Sequence, residues 1–225
     1  MSDYLKWVVT LNVFEGLAFL TGIIFWKKYR HHYWKWFALY LGVIFLTELT
    51  AEYLGHVLGL VKPMYRMYFF FAIPFQFLFF FWLFSRSYPG QKQRRWSYIG
   101  AGVYILAWWT EFLFLQQTRL AFQSFSYTVG NIILLLLILQ FFVGFISSDR
   151  ILNYRQEPMF WVCLGLLVFY LMTLPFFGLW NTLATKYINF FSHYWILQMI
   201  LNCLMYTFFA LSFIMGKWKQ PSSSY

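Results

Sequence analysis

The stretch TELTAEYLGH, residues 47–56, places Glu48, Glu52 and His56 at every fourth position within an otherwise apolar segment. In an α-helix this spacing puts the three side chains on one stripe, which turns through about 80° over about 12 Å. Carboxyl groups and an imidazole on one stripe can exchange protons, form a hydrogen-bonded network or bind a cation. The spacing therefore predicts that these polar groups converge on one face of a helix.

Further polar residues lie in other apolar stretches of the chain. Glu15 lies in the first stretch, Glu111 in the fourth and His193 in the seventh, while Gln76 and Asn131 lie inside the third and fifth. An ionisable residue in hydrocarbon costs roughly 2.5–3.5 kcal/mol, so these side chains are expected to face the protein interior or water. Because no Lys or Arg lies in the hydrocarbon part of a stretch, the carboxyl groups must be protonated, pair with histidine or bind a cation from outside.

The elements that position these residues are seven apolar runs. Of the 225 residues, 61% are hydrophobic and 11% charged, which is typical of an integral membrane protein. Each run can cross a core of about 30 Å as a helix, and runs such as NIILLLLILQFFVGFI lack the alternation of a transmembrane barrel. We expect an all-α fold with a single domain over 1–216, a polar tail over 217–225, and seven transmembrane helices at about 8–26, 37–58, 67–85, 97–115, 122–147, 159–180 and 188–215.

Basic residues are distributed unevenly between the two ends of this bundle. The segments after helices one, three and five and the C-terminus hold twelve of the seventeen Lys and Arg residues, and the other end holds Lys6, Lys62, Arg66, Arg119 and Lys186. By the positive-inside rule, the N-terminus lies outside and the C-terminus in the cytoplasm. Charges scattered over short loops are not typical of nucleic-acid binding, so the expected partner is the lipid bilayer and not nucleic acid.

In this orientation the acids and histidines fall toward the outer side of the membrane. Glu15 lies about seven residues into the first predicted helix, and Glu111 lies in the last turns of the fourth. Gln76 and Asn131 are expected to form the floor of the same cavity. The sequence thus predicts an outward-facing acidic pocket whose ligand-binding residues are Glu15, Glu48, Glu52, His56, Gln76, Glu111, Asn131 and His193.

A divalent, zinc-like metal ion is one candidate occupant. Glu52 and His56, four residues apart on one helix, can hold such an ion if His193 or Glu111 supplies a third ligand. Neither the Glu-x-x-His motif of di-iron bundles nor HExxH occurs in the sequence.

No loop is long enough to hold a soluble domain, so the function must lie in the helix bundle, in its short loops or in a partner. Four functions remain open. The favoured interpretation is a sensor or binding protein that captures a cation or small cationic ligand and signals to a cytoplasmic or membrane partner. The alternatives are a metal-dependent intramembrane hydrolase with a glutamate as general base, a cation- or proton-coupled transporter, and an accessory subunit of a membrane complex.

The stretch YRMYFFFAIPFQFLFFFWLF, residues 65–84, contains a Tyr-x-x-Tyr pair followed by Pro-x-Gln-Phe. It resembles a Tyr-x-x-Tyr…Pro-x-Glu-Phe-like segment in uncharacterised seven-helix proteins of bacterial membranes, with Gln76 at the position of the acid. The resemblance covers one helix. It implies a location in the bacterial inner membrane and no particular activity.

Overall fold

The computed structural model describes residues 3–88, 90–115 and 124–218, and within these ranges the chain is helical and contains no β-strand. Shorter helical turns at Trp26–Tyr29, Asp149–Gln156 and Trp180–Lys186 separate longer helices. We label the long helices of the described chain α1 (Asp3–Ile24), α2 (Lys35–Val57), α3 (Val61–Ser87), α4 (91–115), α5 (Ser124–Ile146), α6 (Pro158–Gly178) and α7 (Ile188–Met215).

Six helices of the described chain are long and apolar enough to cross a membrane, which makes this an integral membrane protein. They comprise most of α1 and α7 and the whole of α2, α3, α5 and α6. The predicted span at 97–115 falls within α4, which is not among the six spans found in the described residues. Residues 122–123 of the predicted fifth helix, Arg119 and residues 219–225 of the predicted tail lie outside the described ranges.

Proline and glycine mark several helix boundaries. Pro158 lies in the first turn of α6, where its missing N–H leaves no donor unpaired. Gly59, with a φ of 65°, makes the turn between α2 and α3 in the left-handed region that favours glycine. Pro74 in α3 follows a π-helical turn at Tyr68–Ala72, as expected where a proline removes one hydrogen bond of the regular helix.

The helices pack in chain order around a closed ring. Each helix from α3 to α6 contacts the next helix in the chain. The last helix, α7, contacts α1, and α1 also contacts α2. Tyr40 of α2 stacks on Phe79 of α3 with ring centroids 4.2 Å apart. Fully buried aromatic rings, among them Phe37, Phe77 and Phe209, fill the interior, so the core is built largely from the 26% of residues that are aromatic.

Candidate functional site

Three acidic side chains from two helices lie close together inside the bundle, and we call Glu15, Glu48 and Glu52 the carboxyl cluster. Glu15 of α1 interacts electrostatically with both Glu48 and Glu52 of α2. Glu15 is only 3% exposed, whereas Glu48 and Glu52 are partly buried. The contact between α1 and α2 therefore brings together residues that lie more than thirty positions apart in the sequence.

Glu15 lies deeper than the sequence predicted. Because α1 begins at Asp3 and not near residue 8, Glu15 is about 18 Å from the start of the helix and at the middle of the apolar segment Lys6–Ile24. The carboxyl cluster thus extends from the end of α2 toward the centre of the membrane-spanning region.

Each acid of the cluster receives a hydrogen bond from a neutral group on another helix. The Tyr68 hydroxyl of α3 donates to Glu48 Oε2 at 2.5 Å, and Asn12 Nδ2 of α1 donates to Glu52 Oε1 at 2.7 Å. The Tyr206 hydroxyl of α7 hydrogen-bonds Glu15. These donors hold the carboxyl groups in place without neutralising a negative charge.

Two buried oxygen atoms, one in the cluster and one beside it, have no hydrogen-bond partner within the described chain. They are Glu15 Oε2 and Asn12 Oδ1, which lie one turn apart on α1. The charges that act on the three acids come from one another and from His56, and no Lys or Arg within the described ranges is among them. The cluster is therefore rich in acceptors, and no Lys or Arg of the described chain neutralises it.

π-Helical turns adjoin the acids in three helices of the described chain. They are Tyr53–Val57 after Glu52, Tyr68–Ala72, which begins at the tyrosine that binds Glu48, and Glu111–Leu115. Such turns are rare and are frequent at functional sites. In α2 the wider turn moves His56 off the position that a regular α-helix would give it, so the predicted stripe is regular only up to Glu52. His56 is exposed, and its charge acts on Glu52.

Groups at the start of α5 donate hydrogen bonds to the Glu111 side chain. Glu111 is 6% exposed and accepts hydrogen bonds from the backbone N–H of Phe125 at 3.2 Å and of Ser126 at 2.9 Å, and from the Ser126 hydroxyl. These N–H groups belong to the first turn of α5, where no intrahelical acceptor exists. The structure thus gives Glu111 the role of a capping residue supplied by α4 to the neighbouring helix.

Replacing Glu111 by alanine is expected to lower the free energy of unfolding by about 2 kcal/mol, because the buried N–H of Ser126 and the partly buried N–H of Phe125 lose their acceptor. Glu111→Gln, which keeps one carbonyl oxygen, should lose less. Thermal unfolding in detergent measures both effects. An alanine variant as stable as the wild type would show that Glu111 does not cap α5.

Gln76 and Asn131 both donate hydrogen bonds to Tyr170 of α6, and these three residues form a second polar layer inside the bundle. Gln76 Nε2 donates to the Tyr170 hydroxyl at 2.7 Å, and Asn131 Nδ2 donates to the Tyr170 carbonyl at 3.3 Å. Tyr40 lies near both Tyr170 and Glu15. This layer therefore adjoins the carboxyl cluster through Tyr40.

The structure does not bring the predicted metal ligands Glu52, His56 and His193 together at one metal position. His193 is exposed near the start of α7, thirteen residues and about 20 Å along the helix from Tyr206, which contacts Glu15. Within the described part of the chain, no group of three or more His, Cys, Asp and Glu side chains could hold a metal ion.

The three donors to the cluster, Asn12, Tyr68 and Tyr206, were not predicted from the sequence. Asn12 had a usable signal, because a polar residue three positions before Glu15 lies on the same face of α1. Tyr68 and Tyr206 had none, since tyrosines are common throughout this aromatic-rich chain and their partners are on other helices.

In comparisons with known proteins, no protein family, curated protein or solved structure matches the chain. The resemblance of residues 65–84 to bacterial seven-helix membrane proteins therefore stays a prediction, as does a bacterial inner-membrane location. The function has to be inferred from the geometry of the carboxyl cluster.

Proposed function

We propose that the protein is a membrane-embedded binding protein or sensor whose carboxyl cluster takes up a cation or a small cationic ligand. One observation carries the proposal: Glu15, 3% exposed and beside Glu48, has a carboxyl oxygen without a hydrogen-bond partner. Burying such an acceptor is costly unless something satisfies it. A bound cation supplies both the missing contact and the missing positive charge.

The chemistry of the cluster limits the kind of cation. Its available groups are carboxyl and amide oxygens, namely those of Glu15, Glu48, Glu52 and Asn12. Oxygen ligands favour alkali and alkaline-earth ions, and the same acceptors can receive hydrogen bonds from an ammonium group. No three carboxyl, imidazole or thiol groups of the described chain are assembled around one metal position, which disfavours a metal ion that needs several protein ligands and favours a monovalent ion or an ammonium group.

The proposed topology gives this cation access from outside. We propose that α4 also crosses the membrane, which makes seven crossings, with the N-terminus outside and the Lys- and Arg-rich end in the cytoplasm. The C-terminal end of α2 then lies at the outer surface. Exposed His56 is followed inward by Glu52 and Glu48, which are partly buried, and then by buried Glu15.

A path for a signal to the opposite end runs along α7. The bond between Glu15 and Tyr206 couples the cluster to α7, and the segment after α7 packs on the segment after α1. Trp218 lies 4.9 Å from Tyr29 and 5.3 Å from Trp34, measured between ring centroids. A shift of α7 on ligand binding would therefore reach this end, where a cytoplasmic or membrane partner could respond.

Thermal unfolding of the purified protein tests the proposal. Sodium, potassium, magnesium, calcium and tetramethylammonium chlorides are compared at constant ionic strength, with N-methylglucamine as the reference cation. We expect one cation to raise the Tm of the wild type with rising concentration, since a ligand at 100 times its Kd stabilises by about 2.7 kcal/mol. Glu48→Gln should abolish this shift.

The matched control is Glu157→Gln, which also removes one carboxylate but at the exposed pair with Arg150, where the distance is 2.8 Å. It should keep the full cation response. The proposal fails if no cation raises the Tm of the wild type, or if the shift is the same in Glu48→Gln.

A further inference from the structure

A cavity lies at the end of the bundle opposite to His56, between the ends of α3, α4 and α5. It is lined by Gln93 in the first turn of α4, by Gln140 and Gly144 in the last turns of α5, and by Ser148 and Arg150 after α5. None of the described residues that line it is acidic. The cavity is separate from the carboxyl cluster and has no part in the cation site.

Three side chains of this cavity have hydrogen-bond donors to spare. The amides of Gln93 and Gln140 form no hydrogen bond with another described residue. Arg150 Nε and Nη2 bind Glu157 at 3.0 and 2.8 Å, which leaves three of the five guanidinium N–H groups. The Glu157 pair also fixes the guanidinium, which lies 5.9 Å from the centre of the Phe145 ring.

The surroundings of the cavity are basic and apolar. Arg94 Nε donates to the Tyr88 carbonyl at 3.0 Å, which holds this positive side chain at the turn between α3 and α4. Phe141 and Phe145 form an apolar wall on α5. A basic pocket at the ends of transmembrane helices lies at the level of the lipid headgroups, where phosphate is the abundant anion.

We propose that this cavity binds a phosphate group, with Gln93, Gln140 and Arg150 as its donors. The group is carried either by the headgroup of an anionic phospholipid or by a soluble phosphate compound. Tetrahedral phosphate oxygens accept hydrogen bonds from several directions, which suits two amides and a guanidinium on different segments. In the lipid case the apolar wall of Phe141 and Phe145 would meet the acyl chain.

Gly144 provides a way to block the cavity without disturbing the fold. A Cβ at this exposed position would meet Gln93 Nε2 at 3.8 Å, an ordinary contact, so Gly144→Leu should extend into the cavity without touching backbone. The matched control is Gly102→Leu on α4, where a Cβ would have nothing within 4 Å. The double variant Gln93→Ala/Gln140→Ala removes the donors and adds no bulk.

Native mass spectrometry of delipidated protein measures binding of phosphatidylglycerol, with diacylglycerol as the phosphate-free lipid and inorganic phosphate as a competitor. We expect phosphatidylglycerol to bind wild type and Gly102→Leu at least about tenfold more tightly than Gly144→Leu and the double variant, and diacylglycerol not to distinguish them. If inorganic phosphate competes with phosphatidylglycerol, the site takes a soluble phosphate compound. If inorganic phosphate does not compete, the site takes a lipid headgroup. Equal binding of both phosphate ligands in all four proteins would overturn the proposal.

Discussion

Replacing Glu15 by leucine and Tyr206 by phenylalanine in one protein is expected to stabilise it and to abolish its response to cations. Glu15 is 3% exposed with one unpartnered oxygen, and Tyr206 is 6% exposed and bonded to it. Apolar residues of similar size remove the cost of burying these polar groups, and such replacements stabilise by about 1–4 kcal/mol in other proteins. Thermal unfolding with and without the stabilising cation measures both effects.

The single variants serve as controls for this prediction. Glu15→Leu alone leaves the buried Tyr206 hydroxyl without its acceptor, so we expect a smaller gain in stability than in the double variant. Tyr206→Phe alone keeps the carboxyl group and should retain part of the cation response. A double variant that is less stable than the wild type, or one that keeps the cation-dependent shift in Tm, would contradict the assigned role of Glu15.

Gly165→Leu is expected to cause the largest loss of stability. A Cβ at Gly165 of α6 would lie 3.1 Å from the backbone oxygen of Met205 and 3.0 Å from Phe208 Cβ, both on α7. Backbone cannot yield as a flexible side chain can, so the two helices must separate, at a cost of about 1–3 kcal/mol or more. Met205 precedes Tyr206, and the same displacement should therefore weaken the cation response.

The control for Gly165→Leu is Gly102→Leu, since both change a helical glycine to the same residue. With open space around its Cβ, Gly102→Leu should leave the free energy of unfolding unchanged or raise it by up to about 1 kcal/mol through helix propensity. If Gly165→Leu unfolds at the temperature of the wild type, α6 and α7 do not pack as closely as the structure shows.

Much of the fold could be predicted from hydropathy, because the membrane requires long apolar helices. The predicted range 188–215 coincides with α7, and 159–180 differs from α6 by two residues at most at each end. The start of α3 was predicted at 67 but lies at Val61, since Lys62, Pro63 and Arg66 lower the hydropathy without ending the helix. Hydropathy detects the apolar part of a helix, and polar turns at the helix ends escape it.

Less of the candidate site could be predicted, because it depends on which helix faces meet. The spacing of Glu48 and Glu52 placed them together, but nothing in the sequence showed that Glu15 would approach them from α1. Glu111 looked equivalent to Glu15, and only the position of α4 beside the start of α5 reveals it as a cap. The π-helical turn after Glu52 also has no reliable sequence signal.

The central claim is that the carboxyl cluster binds a cation, and titration calorimetry tests it most directly. The cation that raises the Tm most is titrated into wild type, Glu15→Gln and Glu157→Gln in the same detergent. We predict one binding site per chain in wild type and Glu157→Gln, and binding at least about tenfold weaker in Glu15→Gln, because a charged ligand contact is lost. Equal affinity in Glu15→Gln and wild type would contradict the claim and place any cation site elsewhere in the protein.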